Sequence, residues 1–152
     1  MAESKKLKWG KMTVEVAKIT DGVTGSFTTL MTPVKGTFAL DVEEGEKQEA
    51  FIEGGERIAM RKDKNKYSFE FDMFISKDIP KPIPDVDGLI EDEYAIRVTP
   101  EDPTLEGFIM DRAAVSVGET FTSEEGHKAK YTFDALKPET GALLKPYTAP
   151  PA

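Results

Sequence analysis

The sequence predicts a mostly β protein: an antiparallel β-sandwich or small β-barrel with a long projecting hairpin and at most one short helix. Three observations carry that expectation. Apolar and polar residues alternate along several short runs, the period-two signature of half-buried strands. Turn residues separate these runs, and the chain shows no sustained helical period, no strand–helix alternation and no internal repeat. The third observation is the stretch Glu56–Ser76, which reads as a hairpin. Its second arm puts Tyr67, Phe69, Phe71, Met73 and Ile75 on one face and Ser68, Glu70, Asp72 and Ser76 on the other. Its first arm sets Ile58 and Met60 against Arg57, Ala59 and Arg61, and the predicted tip is Lys62-Asp63-Lys64-Asn65-Lys66. An arm of about eleven residues is roughly twice the usual strand length, so it either crosses a large sheet or projects to meet another subunit.

In chain order, residues 1–10 read as a flexible polar arm with Trp9 near its end, residues 11–137 as a single β domain and residues 138–152 as a C-terminal tail. Met12, Val14 and Val16 alternate with Thr13, Glu15 and Ala17 and predict the first strand, which Asp21-Gly22 and Gly25 break. Gly22 to Pro33 reads as loop or irregular strand. Val34, Gly36, Phe38, Leu40 and Val42 share one face of a second predicted strand. Glu43 to Glu53 is open between a short helix and an edge strand. Glu46-Lys47-Gln48-Glu49-Ala50 are good helix formers, but Phe51 and Ile52 lead into a Gly54-Gly55 break.

Beyond the hairpin, residues 77–90 form a Pro-rich loop. Pro80, Pro82 and Pro84 donate no ladder hydrogen bond, so the segment reads as a rigid extended connection ending at Asp87-Gly88. Tyr94, Ile96 and Val98 mark the next strand. Between Glu106 and Val117 the apolar parity switches, from Phe108 and Met110 to Ala113, Val115 and Val117, which predicts a β-bulge near Asp111-Arg112. Ser123-Glu124-Glu125-Gly126 is a turn. His127 to Ala135 is the last predicted strand, with Ala129, Tyr131 and Phe133 inward. The tail has little evident core potential.

A chain of 152 residues can bury a full core. It has no cysteine and one histidine, so disulfides, thiolate metal sites and histidine-cluster metal sites are excluded. No apolar run reaches the ~18 residues of a membrane span, and the basic start MAESKKLKWGKM lacks the apolar segment of a signal peptide. The net charge of −8 argues against binding nucleic acid through its phosphates. Charge also falls in blocks. Lys5, Lys6, Lys8 and Lys11 are followed by an acidic run from Asp41 to Glu56, a basic run of Arg57, Arg61, Lys62, Lys64 and Lys66, and a second acidic block from Asp85 to Glu93. Such blocks are ordinarily solvated faces; the alternative is head-to-tail self-association.

No catalytic constellation emerges. His127 at a turn reads as a strand-end residue. Asp85, Asp87 and Asp92 lack EF-hand spacing, and Gly54-Gly55 lacks the context of a phosphate loop. The expectation is no enzyme, no cofactor and no metal. One alternative is a monomeric carbohydrate-binding or adhesion β-sandwich, stacking a sugar on Trp9, Tyr94 or Tyr147 with calcium at Asp85 and Asp87.

The order of several segments resembles the major tail tube proteins of long-tailed bacteriophages and related injection devices. These segments are Glu106–Asp111, Phe121–His127 and Tyr131–Pro138 in the C-terminal half, with Val34-Lys35-Gly36-Thr37-Phe38 and the long hairpin before them. The resemblance covers most of the chain and rests on patterns of strand and turn. It implies a β-sandwich or small barrel flanked by a helix, for which only Glu43–Phe51 is a candidate. It also implies rings of six that stack into a tube conducting the viral genome, or protein in a secretion system. The implied partners are further copies of the chain and other tail proteins. DNA would pass without specific binding, nothing inserts in a membrane, and the protein, made in the bacterial cytoplasm, would reside in the virion tail. By position, Arg61, Lys62, Lys64, Lys66 and Tyr67 are the expected assembly residues, with residues 1–11 and 77–90 as flexible contacts between subunits. Glu70 and Asp72 are expected to line the lumen.

Overall fold

The computed structural model describes residues 10–30, 32–34, 36–78, 80–102 and 104–148. Residues 1–9 of the predicted arm, Trp9 included, and residues 149–152 of the tail lie outside that set. The elements are β1 (Thr13–Thr20), β2 (Val23–Thr24), β3 (Thr28–Thr29), β4 (Ala39–Glu43), β5 (Lys47–Phe51), β6 (Arg57–Lys62), β7 (Lys66–Phe74), β8 (Leu89–Thr99), β9 (Gly107–Thr122), β10 (Gly126–Ala135) and β11 (Lys145–Tyr147). No helix occurs among the described residues, and every ladder is antiparallel. The fold is mostly β, as the alternation predicts.

One sheet runs in the order β2-β1-β8-β9-β10-β7-β4, with β3 also on β1 and β11 on β9; β5 and β6 form a separate two-stranded sheet. A single face of the large sheet carries the core. Val14 and Val16 on β1, Ile96 and Val98 on β8, Met110, Val115 and Val117 on β9, Tyr131 and Phe133 on β10 and Phe69, Phe71 and Met73 on β7 are buried together. Phe71 lies between Phe38, Tyr131 and Phe133, with ring centroids 5.8–6.1 Å away. Full burial of one such side chain is worth about 1.5–3 kcal/mol, so this face dominates the stability of the fold.

The edges of the curled sheet are bridged by the segment between β3 and β4. The Leu30 amide donates to the Val14 carbonyl of β1 at 2.8 Å, and the Val34 amide donates to the Asp72 carbonyl of β7 at 2.8 Å. The Asp72 amide in turn donates to Thr37 Oγ1 at 3.1 Å. Ordered strand in this region is therefore shorter than the predicted Val34–Glu43, because Val34 and Thr37 are tied to Asp72 of β7 and ladder pairing with β7 begins at Ala39.

The Pro-rich loop is similarly tied down. Ile83 inserts into the core, and the buried Tyr131 hydroxyl donates to its carbonyl at 2.9 Å. The expectation that residues 77–90 are flexible contacts is corrected at this point, since a buried anchor holds the middle of the segment. The predicted bulge is present: Tyr94 faces Ala113 while Ile96 faces Met110, so β9 carries one extra residue at Asp111-Arg112. The tail contributes more than expected. Leu144 packs on the core and Lys145–Tyr147 pairs with β9, with Pro146 on an edge strand where its missing N–H is harmless.

Candidate assembly interface

The hairpin exists, but its arms are not the predicted ones. β6 and β7 do not pair with each other; β6 pairs with β5, and β7 pairs with β4 and β10. Ala39 faces Glu70, Glu43 faces Lys66, Lys47 faces Lys62 and Ala50 faces Ala59, so one register runs through both ladders as far as Ala50, where a bulge shifts it and Phe51 faces Arg57. The hairpin therefore begins at Ala39, turns at residues 52–56 and returns through β6 and β7. The turn is closed by hydrogen bonds from the Ile52 amide to the Glu56 carbonyl (3.0 Å) and from the Gly55 amide to the Ile52 carbonyl (3.1 Å). Gly54 and Gly55 sit at φ +95° and +86°, values that glycine alone adopts without cost. Lys62-Asp63-Lys64-Asn65-Lys66 is consequently not the tip. It is a kink midway along the returning arm, where the Gly45 amide donates to Asn65 Oδ1 and the Asp63 amide donates to the Glu46 carbonyl. A Cβ at Gly45 would overlap the Asp63 carbonyl, so glycine is what lets the arms approach there.

Of the two readings open for Glu43–Glu53 the strand holds: β5 runs over Lys47–Phe51, Glu43 ends β4, and the helix candidate Glu43–Phe51 is not helical. Its Glu, Lys and Gln residues favour a helix locally, yet pairing with β6 decides the outcome, as tertiary context often does.

Beyond the kink, β5 and β6 form a ribbon with every residue exposed on both faces. It nevertheless carries large apolar side chains: Phe51 is 58% exposed, Ile52 46%, Ile58 62% and Met60 52%. Glu49 faces Met60 across the ribbon, so Phe51 and Met60 share one face. The Arg57–Glu49 pair at 3.0 Å, an exposed salt bridge, adds little hold. An isolated two-stranded ribbon is marginal in water, and this one has no sheet or helix beneath it among the described residues.

The expected assembly residues lie at the root of this ribbon. Arg61 and Lys62 end β6, Lys64 sits in the kink and Lys66 begins β7, all exposed, while Tyr67 is half-buried against the core. Glu70 and Asp72 lie on the outer face of β7, opposite the core. Glu70 is 3.6 Å from Lys130 of β10, and Asp72 faces Lys130 in register. The same face carries Asp41 and Glu43 of β4, Asp134 and Lys128 of β10 and Lys66 of β7, five carboxylates against three ammonium groups. Small residues fill the rest, Ser68, Ala114, Ser116, Gly118 and Thr132. On β1 and β8 the outer face is covered instead. There the Arg97 guanidinium is paired to Glu15 at 2.9 Å and lies 4.0 Å from the Phe27 ring and 5.0 Å from that of Tyr147.

Away from the ribbon root, Lys81 of the Pro-rich loop reaches Asp85 at 2.9 Å and Glu119 at 2.5 Å. Its hydrogen bonds, first to Glu119 and then to Asp85, raise its pKa well above the ordinary lysine range. The same bonds hold both carboxyls below their usual values. Three residues of the monomeric sugar-binding alternative are engaged elsewhere: Tyr94 is buried in the core, Tyr147 lies against Arg97 and Asp85 is paired to Lys81; Asp87 is exposed, and Trp9 lies outside the described residues. No cluster of three or more His, Asp or Glu side chains suited to a metal occurs among the described residues.

The exposed apolar residues Phe51, Ile52, Ile58 and Met60 escaped the expected set. Their signal was present, since a Gly-Gly pair flanked by apolar residues is itself a hairpin turn. No protein-family model matches the chain, and no curated protein is significantly similar to it.

Proposed function

We propose that the chain is a structural subunit that self-assembles, through its projecting ribbon, into stacked rings forming a phage tail tube that conducts DNA. One observation carries the reading: a ribbon exposed on both faces holds four large apolar side chains and, among the described residues, has no sheet or helix to pack on. Burial against a neighbour would recover about 1.5–3 kcal/mol for each of them, enough to order a ribbon that is marginal alone. The outer face of β4, β7, β9 and β10 supplies the second requirement. Its small side chains leave a low surface, and its excess of carboxylates, Glu70 and Asp72 included, repels phosphates so that DNA slides without sticking. The resemblance of the segment order to tail tube proteins points the same way. The partners are other copies of the chain and other tail proteins, and the location is the virion tail.

The kink permits a clean test. The Asp63 amide already donates to the Glu46 carbonyl at 2.9 Å, so residues 47–62 can be replaced by Asn-Gly, a two-residue hairpin turn. The expected product is a folded monomer that forms no tubes under electron microscopy at any concentration. Tubes from that deletion would overturn the reading.

A further inference from the structure

A groove of about 450 Å³ opens at the ribbon root, between the kink on one side and the segment after β10 on the other. Its size falls in the roughly 300–1,000 Å³ range of clefts that bury a ligand. Tyr67, Leu143 and Leu144 give it apolar lining, and Lys62, Lys64 and Lys137 stand around it against a single carboxylate, Asp63. Among the described residues none of these three lysines makes an ion pair. The ribbon tip has the complementary chemistry. It presents Phe51 and Ile52 beside Glu53 and Glu56, whose carboxylates are likewise unpaired among the described residues.

We propose that this groove receives the ribbon tip of a second copy of the chain. Phe51 and Ile52 enter between Tyr67 and Leu143, and Glu53 and Glu56 meet Lys62, Lys64 and Lys137. The chain's own tip cannot fill the site: about six strand residues at about 3.3 Å each separate tip from root, roughly 20 Å, and the continuous pairing from Lys47–Lys62 to Ala50–Ala59 keeps the tip away from the root. Tip and groove are different surfaces of one molecule, so the contact is heterologous and propagates from copy to copy, closing into a ring or extending as a filament. The docking deepens the tube reading, on which it rests for its biological purpose, but it makes a separate physical claim.

The chain has no cysteine, which makes directed cross-linking unambiguous. Full-length Ile52→Cys and Leu143→Cys proteins, mixed and oxidised under conditions where the wild type associates, should give a disulfide between position 52 of one copy and position 143 of another as the dominant product. Products joined only 52 to 52, or no cross-link in associated protein, would overturn the docking. Charge exchange is the second measurement. E53K/E56K and K62E/K64E should each raise the concentration needed for association about tenfold at low salt, from exposed pairs turned repulsive. Mixed in equal amounts, the two variants should co-assemble, since each tip then meets an opposite rim. Failure of the mixture to recover association counts against the docking.

The two readings separate cleanly. Oligomers of the two cysteine variants linked 52 to 143, from a chain that never forms tubes, sink the tube and keep the docking. Tubes without that link do the reverse, and a chain monomeric at high concentration overturns both.

Discussion

Two halves of one hairpin share a register and differ in almost everything else. In the half that joins the sheet, the central inward residues of β7 are buried completely: Phe69 and Phe71 are 0% exposed. In the half beyond the kink, Phe51 and Ile58 are 58% and 62% exposed. The outer half is the more polar of the two, yet Phe51, Ile52, Ile58 and Met60 on it are large apolar groups that stay exposed. Their exposure follows from topology, because β7 has β10 beside it and a core beneath, whereas among the described residues β5 and β6 pair only with each other.

This contrast can be broken most directly with matched phenylalanines. Phe71→Ala removes a ring stacked on Phe38, Tyr131 and Phe133 and should destabilise the monomer by about 3–5 kcal/mol in urea unfolding. Phe51→Ala should change monomer stability by no more than about 0.5 kcal/mol, as exposed substitutions do. It should still raise the concentration for assembly at least about tenfold, because burying a Phe is worth about 1.5–3 kcal/mol. Equal effects of the two substitutions on unfolding would remove the distinction between the halves.

The hinge between the halves is the next place to press. Gly45→Ala drives a methyl into the Asp63 carbonyl, and an overpacked site of this kind costs about 1–3 kcal/mol. The cost should fall on the ribbon. Amide hydrogen exchange is expected to quicken in β5 and β6 while the β7–β10 ladder keeps its protection; uniform loss of protection would show that the kink is not a boundary.

How much of this was legible depends on whether the signal is local. The inward faces of β7 and β10 were readable from Tyr67–Met73 and Ala129–Phe133, because a period of two is a local property. The bulge at Asp111-Arg112 was readable for the same reason, as a change of parity. Pairing is not local. The cluster Lys62–Lys66 has the polarity of a turn, and Gly54-Gly55 was read only as a break, so the arms were assigned one strand too late. Nothing near Glu46–Ala50 favours strand over helix; β6 supplies the deciding bonds across the turn. The root positions Arg61, Lys62, Lys64, Lys66 and Tyr67 were therefore singled out as the tip. The groove they border was invisible, since its other wall, Leu143 and Leu144, comes from a tail with no periodicity to announce it.

The smallest expected effect sharpens the comparison from the far end of the barrel, where the Pro-rich loop is clasped. In Lys81→Met, Asp85 and Glu119 lose the partner that lowers their pKa values. Carboxyls depressed in the folded state stabilise it above their unfolded values, and that contribution is lost as pH falls through the acid range. The lysine has the opposite sense: its pKa is raised, so its contribution is complete below the ordinary value of 10.5 and is lost only in strong alkali. Wild type should therefore exceed Lys81→Met in thermal stability across neutral pH, with the gap beginning to narrow as pH falls below the ordinary carboxyl values and closing as the depressed carboxyls are protonated in turn. A gap that stays constant through that range would mean that Lys81 acts by packing rather than by charge. Assembly at neutral pH should be untouched, because the clasp holds the core half of the molecule and the ribbon belongs to the other.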